Sequence, residues 1–197
     1  MKSKTLTIVA IIAIVVIAVI WGASSYNSMV SKDETVKSQW GNVQNAYQRR
    51  ADLIPNLVST VKGYANHEQQ TLIGTVEARA QATQQLKINP DELTEENIRK
   101  YQAAQGELSA ALGRLMMIRE AYPELKADKQ FTQLMDNLEG TENRINVERN
   151  KFNELAKDYN SYIRTFPRNI FAGIFGFSQK AYFEADAASQ SAPKVEF

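Results

Sequence analysis

The chain has 197 residues, a length typical of one domain with its own hydrophobic core. Its 23 Lys and Arg residues nearly balance 22 Asp and Glu residues, and a net charge of +1 argues against a nucleic-acid-binding surface, which needs clustered basic residues. It contains no cysteine, which excludes disulfide bonds, thiol catalysis, cysteine-based zinc sites and lipid attachment to cysteine.

The N-terminal segment from Leu6 to Ala23 contains 18 residues without a charge. A membrane-spanning helix needs about 20 apolar residues. A cleavable signal peptide is the alternative, but its apolar region is usually about 7 to 15 residues long, and Gly22 and Ser24 match its cleavage site only weakly. We therefore predict an uncleaved signal-anchor over residues 1–25, with residues 6–23 in the lipid bilayer.

Basic residues around this segment predict its orientation. Lys2 and Lys4 closely precede it, whereas Lys32 and Lys37 lie farther after it. Because basic residues beside a span tend to stay in the cytoplasm, the asymmetry favours a single-pass protein with a cytoplasmic N-terminus and an exported domain.

Residues 26–64 repeat apolar positions at alternating spacings of three and four, which predicts one long helix. Pro55 lies inside it, and because proline has no N–H we predict a local kink and a free carbonyl one turn earlier. Two of the twelve repeat positions are polar, Asp33 and Arg50. The twelve positions are Tyr26, Met29, Asp33, Val36, Trp40, Val43, Tyr47, Arg50, Ile54, Leu57, Val61 and Tyr64.

Two shorter helices are predicted next. The first covers about residues 67–86 and ends before Pro90, which cannot continue a helix. The second begins with Thr94 as N-cap, has two glutamates in its first turn, where the helix dipole favours them, and ends at Pro123. Their apolar residues are Leu72, Val76 and Leu86 in the first, and Ile98, Tyr101, Leu108, Leu112, Leu115 and Tyr122 in the second.

A last long helix is predicted over residues 131–166, with the same spacing and with Thr141 and Glu148 as its polar exceptions. No segment alternates apolar and polar residues over a sustained length, so no strand is expected. We predict an all-α fold, in which an N-terminal transmembrane helix precedes an antiparallel bundle of about four helices, the first and last long. Short connections return the end of the last helix to the membrane side.

Polar residues at buried positions predict a polar layer in this bundle. Pairing Tyr26 with Phe166 across the two long helices places Arg50 near Glu142 and Asp33 near Tyr159. An unpaired buried arginine costs several kcal/mol, so we expect Arg49 or Arg50 to bond to residues 141–143 and fix the helix register. A ligand-binding or catalytic role is the alternative. The predicted structural polar layer comprises Arg49, Arg50, Asp52, Thr141, Glu142, Asn143 and Glu148.

The segment 166–177 is strongly apolar, too short to span a bilayer, and expected at the membrane side of the bundle. Three interpretations stay open, because it can close the end of the bundle, insert into the membrane surface or mediate self-association. The predicted membrane or oligomer contact comprises Ile170, Phe171, Ile174, Phe175 and Phe177. The small and polar residues of 186–197 predict a disordered tail.

Several short motifs occur along the chain in a fixed order. They are QRRADLIPNLVSTVKGYANHE (residues 48–68), EAYPELKA (120–127), TENRI (141–145), the pairs FN and YN at 152 and 159, and GF and FE near residues 176 and 183. Together they resemble the LemA family of bacterial membrane-anchored proteins. The likeness covers about residues 26–185, the predicted bundle domain. It implies a helical domain behind one helix in the cytoplasmic membrane, without established enzymatic activity. Some relatives take part in magnetosome membrane formation, and others are encoded near membrane proteases.

No catalytic or metal motif emerges. His67 is the only histidine, and Thr71 stands where a zinc-protease helix needs its second ligand. Serine-nucleophile elbows and glycine-rich phosphate loops are absent from the sequence. We therefore expect no enzymatic activity, cofactor or metal. The predicted function is a membrane scaffold that forms homo-oligomers or organises membrane components. The alternative is an adaptor or regulator of another membrane protein, such as a membrane protease.

Overall fold

The computed structural model describes residues 2–65, 68–85 and 88–184. Within these ranges the chain forms six α-helices and one short 3-10 turn, Pro90–Glu92, and contains no strand, which confirms the all-α prediction. The helices are α1 (Lys2–Tyr64), α2 (Gln69–Gln85), α3 (Glu95–Ala121), α4 (Pro123–Ala127), α5 (Lys129–Arg164) and α6 (Arg168–Phe175). The predicted disordered tail, together with His67 and Leu86, lies outside the described residues.

The first helix joins the apolar N-terminal segment to the bundle without a break. It is 63 residues long, and it contains one helix-interrupting residue, Pro55, near its far end. It is also the one helix in the described part of the chain that is long and apolar enough to cross a membrane. At about 1.5 Å per residue, residues 24–64 extend roughly 60 Å beyond the apolar segment.

The bundle helices are antiparallel neighbours in chain order, and the last long helix returns beside the first. Along the α1–α5 pair, Lys32 bonds Asp158, Gln39 bonds Glu148 and Tyr64 bonds Asp128. This descending order of partners shows that α5 runs opposite to α1. The end of α5 therefore lies at the side where the apolar segment enters the bundle, as predicted.

Two hydrophobic clusters form the core, one on each side of Arg50. The cluster nearer the apolar segment is centred on Trp40, which contacts the rings of Tyr101, Phe152 and Phe183. The far cluster comprises apolar residues of α1 to α5, among them Leu57, Leu108 and Phe131.

Helix ends follow local chemistry, with some departures from the sequence prediction. Thr94 caps α3 as predicted, because its Oγ1 accepts a hydrogen bond from the Asn97 N–H at 3.3 Å. α3 ends just before Pro123 as predicted, but Pro123 also begins the short helix α4, since proline suits the first turn of a helix. Val76 was expected on the apolar face of α2, but it is 49% exposed, and Thr75 is buried in its place.

Candidate functional site

Arg50 occupies the boundary between the two core clusters and is 1% exposed. Its Nη1 donates hydrogen bonds to Glu142 Oε2 and Ser109 Oγ, both at 2.9 Å. Its Nη2 donates to Gln105 Oε1 at 2.6 Å and to the Gln105 carbonyl at 3.2 Å. The guanidinium also lies 5.0 Å from the ring centroid of Tyr47. One side chain of α1 thus connects α3 and α5.

The remaining long helix of the bundle, α2, joins the same layer. Gln105 donates from Nε2 to the carbonyl of Ala82 at 3.2 Å, and Arg79 donates from Nε to the carbonyl of Ala51 at 2.8 Å. Ala51 is the residue whose carbonyl Pro55 leaves without its usual helical donor. The four helices α1, α2, α3 and α5 therefore meet in one hydrogen-bonded layer around Arg50.

Glu148 forms a second polar level on the side toward the apolar segment. Its Oε2 accepts from Gln39 Nε2 and its Oε1 from Arg144 Nε, both at 2.6 Å, and its side chain is 6% exposed. Both oxygens of the buried carboxylate are therefore bonded, one to Gln39 of α1 and the other to Arg144 on α5 itself.

Of the predicted members, Arg50 and Glu142 bond in the layer, Glu148 lies at the second level, and three others are not buried. Arg49, Asp52 and Asn143 are exposed, because each lies beside rather than on the face along which α1 and α5 pack. Asp52 instead accepts from Gln48 on the same helix at 2.7 Å. Thr141 is buried, but its hydroxyl bonds the carbonyl of Asn137 within α5 at 2.7 Å. The layer's role in fixing register stays a prediction.

Asp33 forms a third polar level, nearer to the apolar N-terminal segment. It accepts hydrogen bonds from Lys37 at 2.7 Å and from Lys180 at 2.8 Å. Burial alone raises the pKa of Asp33, but the bonds from Lys180 and Lys37 outweigh it and hold the pKa below its ordinary value. Burial, assisted by the nearby Asp33 charge, raises the pKa of Tyr159 to about 12. Asp33 thus lies close to Tyr159, where the helix pairing placed it.

Lys180 belongs to a C-terminal strap, residues 177–184, that sequence reasoning missed. The strap has no helix or strand and lies along α5. Asn160 Oδ1 accepts from the Lys180 N–H, and Asn153 Oδ1 accepts from the Phe183 N–H, both at 2.8 Å. The same two amides donate from Nδ2 to the carbonyls of Lys180 and Phe183, again at 2.8 Å. Two asparagines seven residues apart on one helix face were the available signal.

The predicted membrane or oligomer contact, which comprises four residues of α6 and Phe177 just after it, is partly packed on α1 and partly exposed. Phe171 packs on α1, with its ring 5.6 Å from that of Trp21, and Phe177 packs on Tyr26 at 5.7 Å. Ile170, Ile174 and Phe175 are half or more exposed. The segment therefore partly closes the bundle and partly presents an apolar surface.

The described residues include no group of three or more His, Asp or Glu side chains that could hold a metal ion. The polar clusters of the bundle are instead paired acid and base groups with hydrogen-bonding partners.

Comparison with known proteins adds the family. The LemA family model matches residues 39–197. The chain belongs to the LemA family. The match begins at Gln39, so all the residues of the Arg50 layer lie inside the LemA region, whereas the apolar segment precedes it.

Individual relatives are distant but aligned over most of the chain. The magnetosome protein MamQ of Magnetospirillum gryphiswaldense is 29% identical over 182 residues, covering 84% of this chain and 67% of the relative. The magnetosome protein MamQ 2 of Paramagnetospirillum magneticum is 28% identical with the same coverage. The protein LemA of Metamycoplasma hominis is 24% identical over 159 residues, covering 81% of this chain and 68% of the relative.

Proposed function

We propose that this LemA-family protein is a non-enzymatic scaffold, anchored in the bacterial cytoplasmic membrane, that self-associates or organises membrane components. The continuity of α1 carries the proposal, because the apolar segment of residues 6–23 passes into the bundle as one helix. A helix that is anchored in the bilayer and bonded to α5 between Lys32 and Tyr64 sets the direction of the bundle relative to the membrane. The bundle is thereby held at a fixed height and orientation. The proposed topology has a cytoplasmic N-terminus and an exported bundle.

Two further observations support a scaffold over an enzyme. Both Nη atoms of the buried Arg50 and both carboxylate oxygens of the buried Glu148 are bonded to protein partners. Some of the similar proteins are named as magnetosome proteins, which fits a role connected with membranes.

A second candidate, an adaptor for another protein, is favoured by an apolar groove between α1 and α2. The groove is lined by Val58, Leu72, Ile73 and Val76. Ile73 is 56% exposed and Val76 49% exposed. At about 1.5 Å per residue, Val58 lies roughly 50 Å beyond the apolar segment, within reach of a partner's extramembrane domain. We call this surface the distal groove.

Gentle extraction of the full chain, followed by mass determination and identification of co-purifying proteins, tests both candidates. A homo-oligomer supports the scaffold. A single copy with one stoichiometric partner supports the adaptor. A single copy that carries neither further copies nor other proteins contradicts both.

Matched variants locate the contact. Ile73→Glu places a charge in the distal groove, and Val147→Glu places one on an equally exposed part of α5, since the two residues are 56% and 58% exposed. If the protein is an adaptor, we expect Ile73→Glu to lose the partner and Val147→Glu to keep it. Equal loss with both variants would show a general effect of charge and remove the groove as the contact.

A further inference from the structure

We infer that α6 is a second membrane contact, which lies in the interfacial layer of the same bilayer that α1 crosses and prefers anionic lipid headgroups. The inference rests on the anchoring of α1 in the proposed function. It does not depend on whether the bundle acts as scaffold or adaptor.

The first observation is the position of α6 along α1. A Cβ atom placed at Gly22 would lie 3.1 Å from Phe171 Cε1, so glycine permits α6 to approach α1 closely at this point. The rings of Tyr26 and Phe175 lie 4.9 Å apart. Gly22 is in the last turn of the apolar segment, and Tyr26 is one turn beyond it. With residues 6–23 in the bilayer, α6 is therefore at the level of the membrane surface.

The second observation is the apolar character of the outward face of α6. Ile170 is 52% exposed and Ile174 is 69% exposed, and their spacing of four places them on one side of the helix. Phe166, in the turn before α6, is 76% exposed and extends the apolar surface. The opposite side is packed, since Ala172 is 4% exposed. The outer apolar stripe is thus more than half exposed, and interfacial helices insert such a stripe about 5–10 Å into the headgroup region.

The third observation is the positive charge beside α6, which favours anionic lipid. Between Tyr159 and Gln179 the only charged residues are Arg164 and Arg168. Arg168 lies with its guanidinium carbon 4.2 Å from the ring centroid of Tyr162, and Arg164 is exposed. The nearest acid before them, Asp158, is bonded to Lys32. Two arginines beside an apolar stripe, with no acidic residue between them or within α6, complement an anionic headgroup layer.

Site-specific labelling of the full chain tests the inference, because the protein has no native cysteine. Single variants I170C and I174C carry an environment-sensitive fluorophore in vesicles of phosphatidylcholine with or without phosphatidylglycerol. I73C is the control, since Ile73 is 56% exposed and lies in the distal groove. I20C, in the apolar segment, is the reference for lipid. We expect blue-shifted emission at 170 and 174 and several-fold stronger quenching by a lipid-attached quencher than at 73.

The lipid preference has its own variant. R164Q in the I174C background should reduce quenching in vesicles that contain phosphatidylglycerol and leave it unchanged in pure phosphatidylcholine. Equal quenching in both lipids before and after R164Q would overturn the anionic preference.

Three results would overturn the membrane contact itself. If labels at 170 and 174 match the label at 73 while the label at 20 is in lipid, α6 faces water although α1 is anchored. If the fluorophores at 170 and 174 are blue-shifted but are quenched only by labels on other copies of the chain, and not by the lipid-attached quencher, α6 is a self-association surface. If the label at 20 is also in water, the anchoring of the proposed function fails, and this inference fails with it.

Discussion

Arg79 donates a hydrogen bond from Nε to the carbonyl of Ala51 at 2.8 Å, the same carbonyl that Pro55 deprives of its helical donor. Ala51 is buried, so its carbonyl would otherwise lack a partner among the surrounding apolar side chains. Despite the proline, α1 continues to Tyr64. The side chain of α2 thus compensates a backbone defect of α1 and joins the two helices at that level.

Arg79→Ala should lower the free energy of unfolding by about 1–3 kcal/mol, the usual cost of an unsatisfied buried polar group. In a Pro55→Ala background the same change should cost less, because an alanine at this position supplies the missing N–H. A double-mutant cycle from denaturant unfolding of the detergent-solubilised chain measures this coupling. Purely additive costs would show that Arg79 does not substitute for the missing donor.

The hydrogen bonds around Arg50 predict that removing Glu142 and removing Arg50 lower the free energy of unfolding by different amounts. Glu142→Ala leaves a buried guanidinium without a carboxylate, and we expect a cost of about 3–5 kcal/mol. Arg50→Met leaves Glu142, whose side chain is 47% exposed and can be hydrated. It also leaves Gln105 Oε1 without its donor, so we expect about 1–3 kcal/mol.

Unfolding free energies of the two variants, measured side by side, check this order. The exposed neighbour Arg49 supplies the control, since Arg49→Met should have little effect. A larger cost for Arg50→Met than for Glu142→Ala would mean that the ion pair is not what the layer depends on.

Helical periodicity predicted the architecture because burial on one helix face repeats at 3.6 residues and long amphipathic segments reveal it. The same pairing placed Arg50 near Glu142 and Asp33 near Tyr159, because two antiparallel helices of constant rise need only one correct register. The prediction that Arg49, Asp52 and Asn143 belong to the polar layer was wrong for a local reason. Each lies close to a buried position in the sequence, and adjacent residues on a helix point about 100° apart.

The strap and the α2 contacts were beyond the sequence for a different reason. Extended segments have no periodicity, and the signal on α5, Asn153 and Asn160, does not identify the strap because both residues bond backbone groups rather than complementary side chains. Gln105 likewise bonds a carbonyl on another helix. Such contacts depend on the final packing of helices, which a single sequence does not specify.

Asp33 predicts a loss of stability in acid. Its folded pKa lies below the ordinary value of 3.8, so the unfolded chain takes up the proton first. The stabilisation is therefore present above pH 3.8 and declines as the pH falls through the folded pKa. Asp33→Asn should be less stable than the native chain at neutral pH, and the difference should shrink below pH 3.8.

Thermal unfolding of both proteins as a function of pH measures this difference. Glu34→Gln is the control on the same helix, because its carboxylate is 65% exposed. A difference between Asp33→Asn and the native chain that stays constant through the acid range would show that the Asp33 charge does not contribute.

We predict that the order of the strap depends on two asparagines of α5. Asn153 and Asn160 accept from the N–H groups of Phe183 and Lys180. Replacing both asparagines by alanine removes these acceptors, so the two amides should lose protection from hydrogen exchange while the amides of α5 keep theirs. Gln179→Ala, at an exposed strap position, is the control and should leave the protection unchanged.

Packing of Phe183 opposes full release of the strap, because its buried ring stacks on Trp40 at 5.8 Å. Phe183→Ala should therefore destabilise the strap further, by about 3–5 kcal/mol as for other buried aromatic residues. Hydrogen exchange of the strap amides in both variants separates the two contributions. If the amides of 180 and 183 stay protected in the asparagine double variant and lose protection only in Phe183→Ala, side-chain packing alone holds the strap.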